Sequence, residues 1–158
     1  MLQGIALGVT LALLTLIYRA SHPAGAVLGQ LPGTEAYRDV RRHPDAKTFP
    51  GLLIWRAGGD LFYASIGHFG DMLRAELQAR PDVKRVLLDF SDVTTIDVSA
   101  GDALLAFIKE LKNRGIAVAF ARVLDPVRDD MRLAGIEALV GPGNFYDRIT
   151  DGVRAPQA

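Results

Sequence analysis

The chain has 158 residues, no cysteine, and 18 basic side chains that balance 18 acidic ones. The lack of cysteine excludes disulfides, a thiolate nucleophile and a cysteine-ligated metal centre. Zero net charge provides no overall positive field, so no nucleic-acid partner is expected. The charge is unevenly distributed, because residues 1–18 carry none and Arg19 is the first charged residue. This pattern predicts an apolar N-terminal segment followed by a domain of ordinary charge density.

The apolar N-terminal segment is close to membrane-spanning length. As a helix, residues 1–18 extend about 27 Å, just short of the hydrocarbon core of about 30 Å. A secretory signal peptide would need positive charge before the apolar run, and none precedes Arg19. We therefore predict that residues 1–19 are a transmembrane helix, the end of a membrane domain, which contacts the lipid bilayer through residues 1–18. Basic residues outnumber acidic ones in the flank that follows, which predicts a cytoplasmic location for the rest of the chain.

Small residues recur along this helix at four-residue spacing, at Gly4, Gly8 and Ala12. One interpretation is a stripe that lets a neighbouring membrane helix pack closely. The other is chance, because glycine and alanine are common in membrane helices.

Proline and glycine punctuate residues 20–50, which predicts a linker with one possible strand at 26–31. Residues 51–154 form the predicted globular domain, in which short apolar runs alternate with segments of helical periodicity. The predicted strands are 51–56, 61–64, 83–90 and 116–123, and the predicted helices are 66–79, 99–113, a short one opened by Pro126, and 145–153. Such alternation predicts an α/β fold with a central sheet containing parallel pairs and helices packed against it.

A polar loop between strand 83–90 and helix 99–113 carries the most specific residues. Asp89 ends the strand, and Thr95, Asp97 and Ser99 lead into the helix. A phosphate on Ser99 would lie beside the unpaired N–H groups of the helix N-terminus. In the simpler interpretation, Ser99 or Asp97 is only the cap of the helix.

The run LLDFSDVTTIDVSAGDALLAFIKELKNRGIAVAFARV, residues 87–123, resembles STAS domains, the fold shared by sulfate permeases and anti-sigma-factor antagonists. In that family an apolar strand ends in Asp, and Ile/Met-Asp-Ser/Val-Ser/Thr-Gly opens the next helix. Asp97, Val98, Ser99 and Ala100 occupy the last four of these places, with alanine instead of glycine. Ser99 stands where the antagonists are phosphorylated, whereas Val98 is similar to the permease branch. Three other segments, 18–23, 28–51 and 51–65, are similar to permeases in the same order.

The resemblance implies a STAS fold with a mixed central sheet, preceded by the end of a last transmembrane helix. It also implies a cytoplasmic regulatory and interaction module of a SulP-type inorganic anion (sulfate) transporter, which cannot transport alone because the anion pathway lies in the membrane domain. Ser99 is then the candidate regulatory or phosphorylation-equivalent residue, and Asp89, Thr95 and Asp97 support its loop. The expected partners are the permease membrane domain and a cytoplasmic protein or second copy. The alternative is a phosphorylatable switch protein similar to the anti-sigma-factor antagonists.

Neither an enzyme nor a cofactor is expected from these residues. The sequence around Ser99 lacks the first glycine of a nucleophile elbow, and no nucleophile and general base are recognisable together. Asp89, Asp92 and Asp97 lack the glycine loop that would hold substrate phosphates beside Mg²⁺, so no metal site is predicted. Three arginines after the last long strand are either a basic patch or a solvated helix face: Arg122, Arg128 and Arg132.

Overall fold

The computed structural model describes residues 2–156 as an N-terminal helix followed by an α/β domain. The helices are α1 (Leu2–Ser21), α2 (Ile66–Gln78), α3 (Val98–Asn113), α4 (Asp125–Leu133), α5 (Ile136–Val140) and α6 (Ile149–Arg154). The strands are β1 (Ala26–Gln30), β2 (Tyr37–Asp39), β3 (Leu52–Arg56), β4 (Arg85–Asp89), β5 (Ala117–Ala121) and β6 (Phe145–Tyr146).

The six strands form one mixed sheet in the order β2-β1-β3-β4-β5-β6. Strands β3, β4, β5 and β6 are parallel to one another, whereas β1 is antiparallel to both β2 and β3. The predicted mixed sheet with parallel pairs is thus confirmed. The register aligns Arg56 with Asp89 and Asp89 with Ala121, so β3, β4 and β5 end together. We call this end of the sheet the carboxyl edge.

The two faces of the sheet have separate cores. Alternation along β3 sends Leu53 and Trp55 to one face and Leu52 and Ile54 to the other. Buried side chains of α2, α3, α4 and α5 cover the first face, and α6 packs on the second face through Ile149. On α3 the periodic residues predicted to face inward are buried: Leu104, Phe107, Ile108 and Leu111.

Helix α1 lies outside both cores. Its stretch Gln3–Ser21 is long and apolar enough to cross a membrane, and none of it is buried in the structure. Its large apolar side chains are each more than half exposed: Ile5, Leu7, Val9, Leu11, Leu13, Leu14, Leu16, Ile17 and Tyr18. A Cβ built on Gly4 or Gly8 would meet no atom within 4 Å. Their predicted packing against another membrane helix, together with Ala12, therefore stays a prediction.

The region predicted as a linker, residues 20–50, holds two strands instead of one possible strand. Both strands are paired in the sheet: β2 is its outermost strand on one side, and β1 lies between β2 and β3. Strand β2 shows no alternation of apolar and polar residues, because the strand is three residues long and only Tyr37 is buried. The predicted strand 61–64 is wrong, since only Leu61 pairs, through an isolated bridge to Ile96, before a turn.

The predicted helix 145–153 is also wrong in its first half. Phe145 and Tyr146 pair with the end of β5 as strand β6, and α6 begins only at Ile149. Pairing with β5 requires an extended backbone at Phe145 and Tyr146. The helix therefore begins only after Asp147 and Arg148.

The passage from α1 into the sheet is tightly packed. Four residues separate Ser21 from Ala26. A Cβ on Gly25 would lie 1.9 Å from the Trp55 ring, and one on Gly58 would lie 1.5 Å from the Ala24 carbonyl oxygen. Only glycine permits these approaches. Helix α1 is consequently joined to the domain by packed backbone.

Candidate functional site

The N-terminus of α3 is capped by Asp97. Its Oδ1 accepts a hydrogen bond from the Ala100 backbone N at 2.7 Å, and its Oδ2 accepts one from the Tyr63 backbone N at 2.9 Å. These two bonds hold the pKa of Asp97 below its ordinary value, because they favour the carboxylate. Of the two caps that the sequence left open, the structure therefore selects Asp97. Ser99 occupies the second position of the helix with an exposed side chain.

The loop before Asp97 is held by Asp60, which follows the neighbouring strand β3. Its Oδ1 accepts hydrogen bonds from Thr94 N at 2.7 Å, Thr94 Oγ1 at 2.8 Å and Thr95 N at 3.0 Å. Partial burial would raise the pKa of Asp60, but these bonds outweigh it and lower the pKa. Thr95 takes part through its backbone, since its carbonyl also accepts from Leu61 N at 3.2 Å. Sequence reasoning missed Asp60; the available signal was the polar turn that follows β3.

Asp89 joins the three strand ends at the carboxyl edge. Its side chain is completely buried and accepts hydrogen bonds from Arg56 Nε at 2.8 Å and Arg122 Nε at 2.9 Å. Burial would raise the pKa of this carboxyl, but the bonds from Arg122 and Arg56 outweigh it and hold the pKa below its ordinary value. It supports the Ser99 loop only at the start, where it accepts from Ser91 N at 3.2 Å.

Exposed apolar side chains lie near the N-terminus of α3, the helix turn that carries Ser99. Tyr63, Val98 and Leu133 are 79%, 84% and 87% exposed. Val98 and Leu133 line one cavity of about 200 Å³ between α3 and the end of α4, and Tyr63 is tied to the same loop by its bond to Asp97. We call Tyr63, Val98, Ser99 and Leu133 the α3–α4 face. The arrangement offers contact area for another protein surface.

The three arginines considered from the sequence bind two different carboxylates. Arg122 binds Asp89, whereas Arg128 and Arg132 bind Glu137, so the three arginines do not form one patch. Within residues 2–156, histidine, aspartate and glutamate nowhere gather in a group of three that could hold a metal ion.

Comparisons with known proteins agree with this fold. A STAS-domain family model matches residues 43–152. The chain is 35% identical over 161 residues to the probable sulfate transporter 4.2 of Arabidopsis thaliana, a match covering 96% of this chain and 24% of that protein. The chain thus spans about a quarter of the length of the curated relatives it matches.

Solved structures show the same fold at lower identity. The murine Slc26a9 anion transporter in the inward-facing state superposes with a TM-score of 0.84 at 21% identity, over 96% of this chain and 25% of that one. The STAS domain of a SulP transporter from Vibrio cholerae gives 0.57 at 21% identity, over 72% of this chain and 87% of that one. The unphosphorylated anti-sigma factor antagonist SpoIIAA also matches, at 0.53 and 14% identity. The family model covers well over half of the chain, and the chain belongs to the STAS-domain family.

Proposed function

We propose that this chain is the cytoplasmic regulatory and interaction module of a SulP-type inorganic anion (sulfate) transporter, joined to its membrane domain through α1. The observation that carries the proposal is the unburied apolar helix directly before the STAS fold. Removing apolar surface from water is favourable by about 25 cal/mol per Å². A helix whose apolar side chains are not covered by its own domain is therefore stabilised by contact with lipid or with other membrane helices. The sulfate-transporter names of the relatives support the same assignment.

The chain alone is not expected to transport an anion. A path for a charged solute is a polar cavity enclosed by several membrane segments. Residues 2–156 contain one helix that is apolar and long enough to cross a membrane. The anion pathway of the proposed transporter is therefore assigned to the membrane domain that α1 would join.

Contact with a partner is assigned to the α3–α4 face. Tyr63, Val98 and Leu133 expose apolar side chains near the start of α3, which also exposes the hydroxyl of Ser99, and the Asp97 and Asp60 bonds fix the loop that precedes this helix. Exposed apolar side chains beside a fixed loop suit a protein contact, because the loop loses little conformational entropy on binding. The partner is the membrane domain, a second copy or a cytoplasmic protein.

Selective labelling tests the membrane and cytoplasmic parts of the proposal. The chain has no cysteine, so Lys109→Cys on the exposed side of α3 introduces one thiol. In bacterial cells the variant should sediment with membranes, and a membrane-impermeant maleimide should label it only after permeabilisation. The cysteine-free parent is the matched control. Recovery in the soluble fraction would refute the membrane helix, and labelling in intact cells would refute the cytoplasmic location.

A phosphorylatable switch is the second candidate. It is favoured by the exposed hydroxyl of Ser99 in the first turn of α3, where the helix dipole attracts negative charge. It is opposed by α1, which a soluble switch does not need, and by the Asp97 carboxylate nearby. Incubation with ATP and source-cell lysate, followed by intact mass measurement, separates the two. One phosphate per chain that Ser99→Ala abolishes would favour the switch, whereas unchanged mass favours the transporter module.

A further inference from the structure

A second feature of the fold lies on the α6 side of the sheet, away from the α3–α4 face. At the carboxyl edge, β2 and the start of α6 enclose an open cavity of about 410 Å³. Its lining contains four arginines: Arg38, Arg56, Arg122 and Arg148. The one acidic residue of the lining, Glu35, accepts a hydrogen bond from Arg154 Nη2 at 2.9 Å. The cavity is thus strongly basic in a chain whose net charge is zero.

The positive charge of this cavity is not balanced by its neighbours. Arg56 and Arg122 both bind Asp89, whose single negative charge balances one of them. Arg38 and Arg148 are exposed and form no ion pair with any residue between 2 and 156. Asp39 and Asp92 line the adjoining cavity with Arg38 and Arg56 but form no ion pair with these two arginines, so the lining keeps an excess of positive charge. Positive charge concentrated in a concave site attracts anions more strongly than the same charge spread over a surface.

The two inner arginines are held in position before any ligand arrives. Arg122 has φ 56°, and it is the one residue other than glycine with positive φ in the part of the chain described. An extended continuation of β5 would point its side chain to the face opposite Ala121. The left-handed turn instead brings the guanidinium to Asp89, and its backbone N donates to the Tyr146 carbonyl at 2.9 Å. Strained backbone of this kind is concentrated at binding sites.

We propose that this cavity binds an oxyanion of the phosphate or sulfate class through Arg38, Arg56, Arg122 and Arg148. A guanidinium donates paired N–H bonds that match such oxygens. In residues 2–156 the Arg56 side chain donates only through Nε, to Asp89, so its two Nη groups are available to an anion. A volume of about 410 Å³ also admits a phosphate ester, since small-molecule sites measure about 300–1,000 Å³.

Two sources supply this chemistry: a free oxyanion and the headgroup of an anionic phospholipid. Arg56 pairs in register with Ala26, which follows the end of α1 by no more than about 18 Å of extended chain. A neighbouring cavity of about 480 Å³ shares Arg38 and Arg56 and extends to Ala24 and Gly25. The basic surface therefore lies within reach of the membrane that α1 would enter.

Binding to the full chain in nanodiscs tests the proposal. In zwitterionic phosphatidylcholine discs at fixed ionic strength, calorimetric titration with sodium sulfate and then sodium phosphate should show saturable binding. Arg148→Gln and Arg38→Gln should each raise the Kd about tenfold or more, because each removes a charge-assisted contact. Arg114→Gln removes the same charge at the end of α3 and should leave the Kd unchanged.

Discs containing phosphatidylglycerol distinguish the two sources. If a headgroup is the ligand, native mass spectrometry should find one phosphatidylglycerol retained per chain, lost in Arg148→Gln and kept in Arg114→Gln. If a free oxyanion is the ligand, no lipid is retained and sulfate or phosphate binds with the same Kd in both kinds of disc. The proposal is overturned if neither anion nor lipid binds saturably, or if Arg114→Gln weakens binding as much as Arg148→Gln.

Discussion

Replacing Asp89 with asparagine should destabilise the domain, because it removes the negative charge that joins the ends of three strands. The asparagine has almost the same shape, so the change affects charge and hydrogen bonding rather than packing. Its amide NH₂ would face guanidinium donors, and Arg56 and Arg122 would repel each other across the site. The carboxyl edge should therefore be weakened while the cores on both faces stay intact.

The size of the effect depends on how well water can replace the lost carboxylate. Breaking a fully buried ion pair costs about 3–5 kcal/mol, and a hydrogen bond to a charged group contributes about 1.5–3 kcal/mol. Asp89 is fully buried, but the side chains of Arg56 and Arg122 are 26% and 38% exposed. Water can solvate them after the substitution, so we expect a loss at the low end, about 2–3 kcal/mol.

Urea unfolding of the full chain in mild detergent measures this loss. Trp55 is the single tryptophan, it is buried in the core, and its fluorescence reports unfolding of the sheet. Asp92→Asn is the matched control, because Asp92 is exposed and should change stability by less than about 0.5 kcal/mol. Equal stability of Asp89→Asn and the parent would refute the argument that this carboxylate holds the strand ends.

The pH dependence supplies an independent check. The folded pKa of Asp89 lies below its value of about 3.9 in unfolded chains, so the unfolded state takes up the proton first as pH falls. The stability due to the carboxylate is then fully present above about pH 5 and is lost as pH falls through the folded pKa. The difference between the parent and Asp89→Asn should accordingly be constant near neutrality and shrink below about pH 4.

Further substitutions test the core and the cap, and uptake tests the transport assignment. Leu104→Ala should cost about 2–5 kcal/mol in urea unfolding because Leu104 is fully buried, whereas Leu133→Ala, at an exposed position, should cost less than about 0.5 kcal/mol. Asp97→Ala should lower the Tm and Ser99→Ala should leave it nearly unchanged, and equal shifts would contradict the capping assignment. In uptake-deficient cells the chain alone should take up labelled sulfate no faster than an empty vector, and faster uptake would refute its dependence on a membrane domain.

The long helices and strands were predictable because the spacing of apolar residues along the sequence reflects which of their side chains are buried. Strand β4 is buried along its whole length and is a continuous apolar run apart from its ends, and α3 repeats apolar residues at helical spacing. Strands β2 and β6 were not predictable, because three and two residues cannot show a period. These two strands form because they pair with β1 and β5, and such pairing produces no recognisable pattern in the local sequence.

The site was predictable only where its residues are close in sequence. Asp97 and Ser99 were placed at the start of α3, as the structure has them. The contacts of Asp89 with Arg56 and Arg122 join residues 33 positions away on either side, and depend on three parallel strands ending at the same level. Proximity in sequence suggested grouping Arg122 with Arg128 and Arg132, but the turn after β5 directs Arg122 to the other side of the sheet.

If α1 anchors the domain in a membrane as proposed, the shortness of the outermost strands has a consequence for copies that share that membrane. Anchored chains diffuse in two dimensions, so their domains meet far more often than free domains at the same cellular abundance. An unpaired sheet border is a template for adding strands from a neighbouring molecule. Here the borders are β2, with three residues, and β6, with two, and each offers a neighbour only a few ladder hydrogen bonds. Frequent encounters can thus occur without edge-to-edge aggregation, and contacts between copies are left to side-chain surfaces.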